Sequence, residues 1–364
     1  PQRLAAHYCF LSGQQRIGKS SVVRKLHDGD YLSDNLTSPV RAVYTAFNGL
    51  NELAPSQIAR HLVAEVYRQL EIEAPVETRG VAMDWLNSAL AAAVAHLGNS
   101  RLLLIIDEFD AHIEAAQESH QPLAGYAPLA SVLERRTDMA WLLVVRDVFV
   151  ADAGFRSAVD SINLAAPRVA LRNLEEHAAL QLITAAKRSS GQTQGKGLDY
   201  DPAGGGRKSL EDEIFDYTGG NPYLIQLICK GLVDEALKRR RDRLTHADLD
   251  QQVRRLLADR GNLDHLGNRY VLRPPHNRLL ATLAGSTDIR EWLPLEALRT
   301  ALLNSPGLTK LDEFRNSLHF LEQMGVVEVR YTRPDKVRIP IGIFHRWVEN
   351  RIESGELPNA PALW

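Results

Sequence analysis

Cysteine is scarce in this chain: Cys9 and Cys229 are the only two among 364 residues. Both lie in apolar stretches. Two such residues do not make the disulfide framework of a small secreted domain. Free buried thiols in a reducing cytoplasm are the reading that fits. Charge of one sign is also lacking. The net charge is −2, so no global basic field advertises nucleic-acid binding. Long apolar runs are missing too: none reaches the length of a membrane span, and no signal peptide is visible. A membrane is therefore not expected as a partner. What remains is ordinary soluble composition, 45% hydrophobic and 24% charged. A chain of this length should hold two or three domains. Residue 1 is Pro, not Met, and the first motif follows almost at once. The expectation is an excised or processed piece of a longer chain.

That first motif is Gly13-Gln14-Gln15-Arg16-Ile17-Gly18-Lys19-Ser20. It reads G-x-x-x-x-G-K-S, the phosphate-binding P-loop pattern. His7–Leu11 ahead of it is a short strand-like apolar run. Ser21–Leu26 behind it opens a helical pattern. Gly13 and Gly18 let backbone wrap close to an anion. The N–H groups from Gly13 through Ser21 would face phosphate oxygens at the start of a helix. Lys19 would balance the β- and γ-phosphates, and the Ser20 hydroxyl would ligate Mg²⁺. A functionless glycine-lysine loop is the bland alternative, and the flanking strand and helix argue against it.

A second stretch answers the first. Leu102–Ile106 is a continuous apolar run that ends in Asp107 and Glu108. Such a run suits a central parallel strand buried on both faces. Its carboxyl end is where ligands sit in open α/β sheets. Asp107 would hold Mg²⁺, and Glu108 would orient and polarise the attacking water. The pair of motifs points to a nucleoside triphosphatase.

Along the chain, 40–47 reads as a strand and 55–70 as an amphipathic helix on Ile58, Leu62, Val63, Val66 and Leu70. Helical patterns cover 81–97 and 123–135, and strands cover 141–145 and 169–171. Strands alternating with helices imply a parallel sheet covered on both faces. From Asn173 the pattern is helical, with Asn173 and Glu176 spaced as a capping box. Residues 189–207 are glycine-rich and read as a flexible insertion. Helices follow at 210–217, at 223–239 behind Pro222, and from Thr245 to about Asp259. The stretch 275–350 gives helices at 276–284, 294–303 and 309–324. Two short strands, 326–331 and 336–339, and a final helix complete it. Three helices and a hairpin make a winged-helix layout. The expected fold is an α/β P-loop NTPase domain at 1–172, an all-α lid at 173–262 and a winged helix at 275–353.

These motifs together resemble the STAND signal-transduction NTPases, and the AAA+ ATPases of the origin-recognition type to which they are related. The resemblance rests on residues 13–20, Leu104–Asp110, Val144-Val145-Arg146-Asp147 and Gly219-Gly220-Asn221-Pro222-Tyr223-Leu224. It implies an ATP-binding and slowly hydrolysing switch. ADP holds a closed state; ATP opens the molecule, which forms a homo-oligomer and activates an attached or partner effector in bacterial defence or signalling. It implies ATP/ADP and Mg²⁺ as ligands. It implies that Arg146 reads the γ-phosphate and that Pro222 packs on the base. Replication initiators of the related type place an arginine in the lid helix; Asn221–Leu224 offers none, which points toward STAND.

Arg156 reads as a solvated loop arginine rather than a finger acting in trans. Asp110, His112, Glu114 and His120 make no metal-ligand spacing and read as a polar loop. His345 reads as structural. The alternative function is a DNA-binding ATPase acting through the winged helix. Its helix 309–324 carries Lys310 and Arg315 but also Asp312, Glu313 and Glu322, a poor match to phosphates. The wing, with Arg330, Arg333, Lys336 and Arg338, suits DNA better. Lys238–Arg241 reads as a solvated helix end. DNA is accordingly expected as a possible partner, not a favoured one.

Overall fold

The computed structural model describes residues 8–48, 50, 54–77, 81–110, 129, 132, 135–147, 167–189, 199–202, 208–259, 263, 266, 274–303 and 311–357. The chain forms two compact units. One holds residues up to Gly13 together with Gly18–Leu171. The other holds Gln14–Ile17 and Arg172–Trp364. Arg156, His112, Glu114 and His120 lie outside the described residues, as do most of the expected helix 123–135 and most of the insertion 189–207.

The first unit is built on a parallel sheet of five strands: β1 (Tyr8–Gly13), β2 (Val40–Ala46), β3 (Arg101–Asp107), β4 (Ala140–Arg146) and β5 (Arg168–Ala170). Their order is β2-β3-β4-β1-β5, and every pairing is parallel. In β3, Leu102, Leu104, Ile105 and Ile106 are fully buried, as its unbroken apolar run requires. Each such side chain contributes about 1.5–3 kcal/mol of burial. Helix α1 (Lys19–His27) lays Val23 and Leu26 against Leu11, Ile105 and Val144. Helix α2 (Gly29–Asn35) follows. Helices α3 (Pro55–Leu70) and α4 (Ala82–His96) pack on each other, tied by the Tyr67 hydroxyl donating to the Ala89 carbonyl at 2.9 Å. Pro55 opens α3 because its missing N–H is not needed there.

This order carries the site. β1 and β3 are separated only by β4, and parallel strands place all their carboxyl ends on one edge. The P-loop leaves β1 and the Asp107-Glu108 pair leaves β3 along that edge.

The second unit is mostly helical: α5 (Glu176–Ser189), α6 (Leu210–Thr218), α7 (Pro222–Arg239) and α8 (His246–Ala258), then α9 (Pro274–Ser286), α10 (Leu295–Leu303), α11 (Leu311–Gln323) and α12 (Gly342–Glu353). The stretches expected as separate lid and winged-helix domains cluster together here, with α6 and α8 both touching α12. The Thr245–Asp248 capping box opens α8, each side chain satisfying the other's backbone N–H. Asn173 does not cap α5. The helix begins three residues later, and the Asn173 amide oxygen accepts instead from the Asn221 side chain at 3.4 Å. Around the wing, β8 (Leu293–Pro294), β10 (Lys336–Arg338) and β9 (Glu328–Arg330) form an antiparallel sheet in that order. Two-residue strands such as β8, and the parallel pair β6 (Asp199–Tyr200) and β7 (Arg243–Leu244), are too short to show a period in sequence.

Candidate nucleotide-binding site

Gly13 is the last residue of β1, and Gly18 stands at the N-cap of α1 with φ 103°. A Cβ at Gly18 would meet nothing within 4 Å, so the dihedral, not crowding, calls for glycine. The first turn of α1 carries no acidic side chain. Its N–H groups and dipole are therefore not countered there by a carboxylate of the helix itself. Lys19 donates from Nζ to the Gly13 carbonyl oxygen at 2.9 Å, folding across the loop's base. Burial pushes the Lys19 ammonium below its ordinary pKa, and Asp110, Asp147 and Asp107 pull it back up. Ser20 and Ser21 are exposed at the start of the helix.

Asp107 is buried at the end of β3. Its Oδ2 accepts from Ser20 Oγ and from the Tyr44 hydroxyl, each at 3.3 Å, and its Oδ1 from the Glu108 backbone N–H at 2.9 Å. Three donors from three segments thus fix one carboxylate. Burial and the charge of Asp107 push the Tyr44 phenol up to about 12. The Ser20 hydroxyl and Asp107 carboxylate converge as two oxygen ligands that fit Mg²⁺, which takes few protein oxygens and completes its shell with water and phosphate. Among the described residues no group of three or more His, Cys, Asp or Glu could hold a metal by itself.

Glu108 adopts φ 49°, a left-handed conformation unusual for a residue with a side chain. The turn lets the Phe109 N–H reach the Val144 carbonyl at 3.0 Å and buries Phe109 against Phe47, with ring centroids 5.7 Å apart. Glu108 stays exposed beside the site. Burial, Asp107 and Asp110 hold its carboxyl above the ordinary glutamate value. Strain of this kind at a site persists only where surrounding packing imposes it.

Arg146 ends β4 and stands in register with Gly13 across the β1–β4 pair. Its guanidinium Nε donates to Asp110 Oδ2 at 2.8 Å. Asp110, which the sequence placed in a polar loop, is 2% exposed. Its spacing in Asp107-Glu108-Phe109-Asp110, one turn beyond the first carboxylate, was the available signal. Two further residues were missed. Arg168 donates from NH2 to the buried Asp147 and from Nε to Ser12 Oγ, both at 2.7 Å, bracing β1 and β5. Tyr44 was read only as a strand residue. Lys19, Ser20, Asp107, Glu108 and Arg146 therefore meet at one sheet edge.

The loop tip belongs to the second unit. Gln14 and Ile17 are buried; Gln15 and Arg16 are exposed. Arg16 donates to the Tyr223 hydroxyl and lies over its ring, 4.6 Å from the centroid. Pro222 occupies the first turn of α7, and Asn221 Oδ1 caps that helix by accepting from the Leu224 N–H at 3.2 Å. The two glycines before it have a packing cause. Gly219 (φ 56°) and Gly220 (φ 77°) touch the backbone of Pro340 and Leu174 so closely that a Cβ would overlap both carbonyl oxygens. His345 is buried between Thr287 and Glu349, and burial lowers its pKa, in keeping with a packing role.

No family model matches this chain. No curated protein matches it either. Solved structures do share its fold. The Walker-type ATPase PABY2304 of Pyrococcus abyssi is 13% identical, with 94% of this chain and 91% of that chain covered and a TM-score of 0.55. The Aeropyrum pernix ORC2 protein, solved as ADPNP-ADP complexes, is 17% identical, covers 96% and 89%, and has a TM-score of 0.50. The chain thus shares the fold of these two proteins, a parallel-sheet core followed by a helical region. Among the described residues no helix is long and apolar enough to cross a membrane.

One expectation is corrected: the acids of α11 are not by themselves a ground for ranking DNA as a possible but not a favoured partner. The acids that weighed against DNA have internal roles. Asp312 and Glu313 lie in the first turn of α11, where they complement the helix dipole. Glu322 accepts from the Tyr331 hydroxyl at 3.2 Å.

Proposed function

We propose that this chain binds ATP with Mg²⁺, hydrolyses it, and engages duplex DNA through its winged helix. The observation that carries the ATPase reading is the meeting of Lys19, Ser20, Asp107 and Glu108 at the carboxyl edge of the sheet, with Ser20 Oγ 3.3 Å from Asp107. Lys19 and the N–H groups of Gly13–Ser21 would bind the phosphates. Ser20 and Asp107 would hold Mg²⁺, which neutralises charge on the phosphate oxygens when bound. Glu108 would take a proton from the attacking water, and its raised pKa suits a base. Arg146 would contact the γ-phosphate. The DNA reading rests on the wing. Arg330, Arg333 and Tyr331 are exposed there, and Lys336 is half-buried. Arg338 is less available, being held by Glu328 and lying 4.3 Å over Trp292. The test is twofold: identify the nucleotide released from purified protein and measure its turnover, then titrate a labelled duplex at several salt concentrations. Absence of nucleotide binding would sink the ATPase reading. Affinity for duplex that does not change with salt would sink the DNA reading.

A second reading, a STAND-type switch whose ATP and ADP forms differ in domain opening and oligomerisation, is favoured by one observation. The first turn of α7, Pro222-Tyr223-Leu224, has no arginine to offer a nucleotide. Scattering from the ADP- and ATP-loaded forms decides it; identical shapes and masses would refute the switch.

A further inference from the structure

The Asp107 carboxylate is held in part by a relay of side chains that starts at the sheet's edge. Among the described residues β2 pairs only with β3, so it is an edge strand with backbone groups that no strand satisfies. At Tyr44 the side chain of Gln69, from α3, takes the place of a further strand. Its Oε1 accepts the Tyr44 N–H at 3.0 Å, and its Nε2 donates to the Tyr44 carbonyl at 2.6 Å. The amide is itself held. Its Nε2 donates to Glu65 at 3.0 Å, and its Oε1 accepts from Nε2 of His27, the last residue of α1, at 3.1 Å. The His27 ring meets the Tyr44 ring near its edge, with centroids 6.2 Å apart. Tyr44 is therefore fixed at its backbone by α3 and at its ring by α1. Its hydroxyl donates to Asp107 Oδ2 at 3.3 Å, the oxygen that also accepts from Ser20 Oγ at 3.3 Å. Two donors share that oxygen, and both bonds are long for hydroxyls.

We propose that Tyr44 is a positioning residue for the metal site: clamped by Gln69, its hydroxyl holds Asp107 Oδ2 in place while Ser20 and Asp107 take Mg²⁺ with the nucleotide. The inference rests on the ATPase reading above, with Ser20 and Asp107 as metal ligands. The Glu108 N–H holds only the other oxygen, Oδ1. Once the Ser20 hydroxyl turns to a metal ion, Oδ2 is left to Tyr44. The last torsion of an aspartate is broad, so an unheld carboxylate turns readily. Mg²⁺ demands near-ideal octahedral placement of its oxygens. A group that orients a ligand without entering the metal's shell therefore adds to metal affinity.

The experiment measures the affinity of the full chain for ADPNP with Mg²⁺ and with a chelator, in wild type, Tyr44→Phe, Asp107→Ala and the double variant. The ratio of the two affinities is the gain from the metal. Phenylalanine keeps the ring and removes the hydroxyl. Tyr44→Phe should lower the gain by about tenfold or more, the usual cost of losing a group that orients a ligand, and leave affinity in chelator unchanged. The double variant should lose no more of the gain than Asp107→Ala alone. Urea midpoints are read alongside. A merely structural Tyr44 would lower the midpoint and leave the gain intact, and an intact gain overturns the inference. An increased gain does so as well, because it would mean that the phenol competes with the metal for Asp107. So does an equal loss with metal and with chelator, or a Tyr44→Phe effect that persists in Asp107→Ala. Should Tyr44→Phe fail to fold, Gln69→Met decides, since it keeps most of the volume and removes the clamp. It should lower the gain severalfold, and an intact gain overturns the inference. Wild-type protein that binds ADPNP no better with Mg²⁺ overturns the metal assignment and this inference with it. Wild-type protein that does not bind ADPNP at all would instead overturn the ATPase reading from which the inference starts.

Discussion

Replacing Gly219 by alanine should cost far more than replacing a glycine of the same backbone type elsewhere. Gly219 closes α6 at φ 56°, where its N–H donates to the Phe215 carbonyl at 2.8 Å. An added Cβ would lie 2.4 Å from the Pro340 carbonyl oxygen, 2.9 Å from its carbon and 3.1 Å from Ile341 Cα. None of these atoms can rotate away. Ile341 is the N-cap of α12, and its carbonyl accepts the His345 N–H at 3.0 Å. The backbone must therefore shift as a piece. The left-handed dihedral costs about 1–2 kcal/mol for a residue with a Cβ. Overpacking adds about 1–3 kcal/mol. Together Gly219→Ala should lose about 2–5 kcal/mol. Gly355 is the control. It has φ 74° and nothing within 4 Å of a Cβ, so Gly355→Ala should lose only the dihedral term, about 1–2 kcal/mol. Both lie in the second unit. Urea unfolding followed by circular dichroism, with equal slopes in both variants, gives the comparison. Equal losses at the two positions would show that the contact with Pro340 is relieved at no cost, and the packing explanation of the Gly-Gly pair would fall.

Lys19→Ala should abolish tight nucleotide binding, read by calorimetry, because it removes the main counter-charge to phosphate; unchanged affinity would refute the site. Glu108→Gln should keep binding and slow turnover by about a hundredfold or more, measured as phosphate release; undiminished turnover would remove Glu108 from the chemistry. Asp248→Ala should destabilise the second unit by about 1–3 kcal/mol, since Asp248 accepts from the Thr245 N–H and hydroxyl and from Arg241. Burial pushes the Asp248 carboxyl up, but bonds from Arg241 and Thr245 outweigh it and hold it below the ordinary aspartate value. Its stabilising effect is thus full above about pH 3.9 and is lost as pH falls through the lower folded value. Urea midpoints should show the alanine variant losing less in acid than the wild type does, and parallel acid losses would refute the linkage. In the wing, Arg333→Glu with Lys336→Glu should weaken duplex binding and flatten its salt dependence by about one unit of slope per lost phosphate contact; fluorescence anisotropy at several salt concentrations measures both, and an unchanged slope places the DNA contact elsewhere.

The parts legible in sequence were those with a period or a spacing. The unbroken run Leu102–Ile106 could only be a strand buried on both faces, and α3 showed its buried face as Ile58, Leu62, Val63 and Val66. The P-loop glycines were legible because their spacing reports a backbone shape. What stayed hidden was pairing. Nothing in a list of residues says that Asp110 meets Arg146 rather than water, or that Arg168 reaches Asp147. Both pairs join segments brought together by strand order, β3 to β4 and β4 to β5. That order depends on how the whole sheet closes, not on local propensity. The acids of α11 show a converse case. Counted as charges they opposed DNA; placed on the helix, Asp312 and Glu313 serve its first turn. Asn173 failed for a similar reason. Its spacing to Glu176 fitted a cap, but a tertiary partner, Asn221, took its side chain.

The charge balance of the first unit says how a nucleotide must arrive. Among the described residues, the carboxylates Asp107, Glu108, Asp110 and Asp147 lie at the sheet's carboxyl edge with the cations Lys19, Arg146 and Arg168. Arg146 and Arg168 are matched by Asp110 and Asp147. Lys19 is shared among Asp110, Asp147 and Asp107, whose charges all act on it. Among these described residues acidic groups outnumber basic ones before any phosphate enters. A triphosphate brings several more negative charges into a site where burial strengthens every repulsion. Arg146 is already paired with Asp110, and burial disfavours the charged form of Lys19. The α1 N-terminus supplies only about half a charge. The deficit must be made up by a cation that travels with the nucleotide, and the paired oxygens of Ser20 and Asp107 stand where it would be held. Nucleotide affinity should therefore depend steeply on Mg²⁺, and that dependence should shrink in Asp107→Asn, which removes one carboxylate and one metal-ligating oxygen charge from the site. Calorimetric titration of ATP into both proteins, with Mg²⁺ and with a chelator, measures it. Equal affinity with and without the metal in wild type would show that the chain's own cations suffice, and the charge argument would fail.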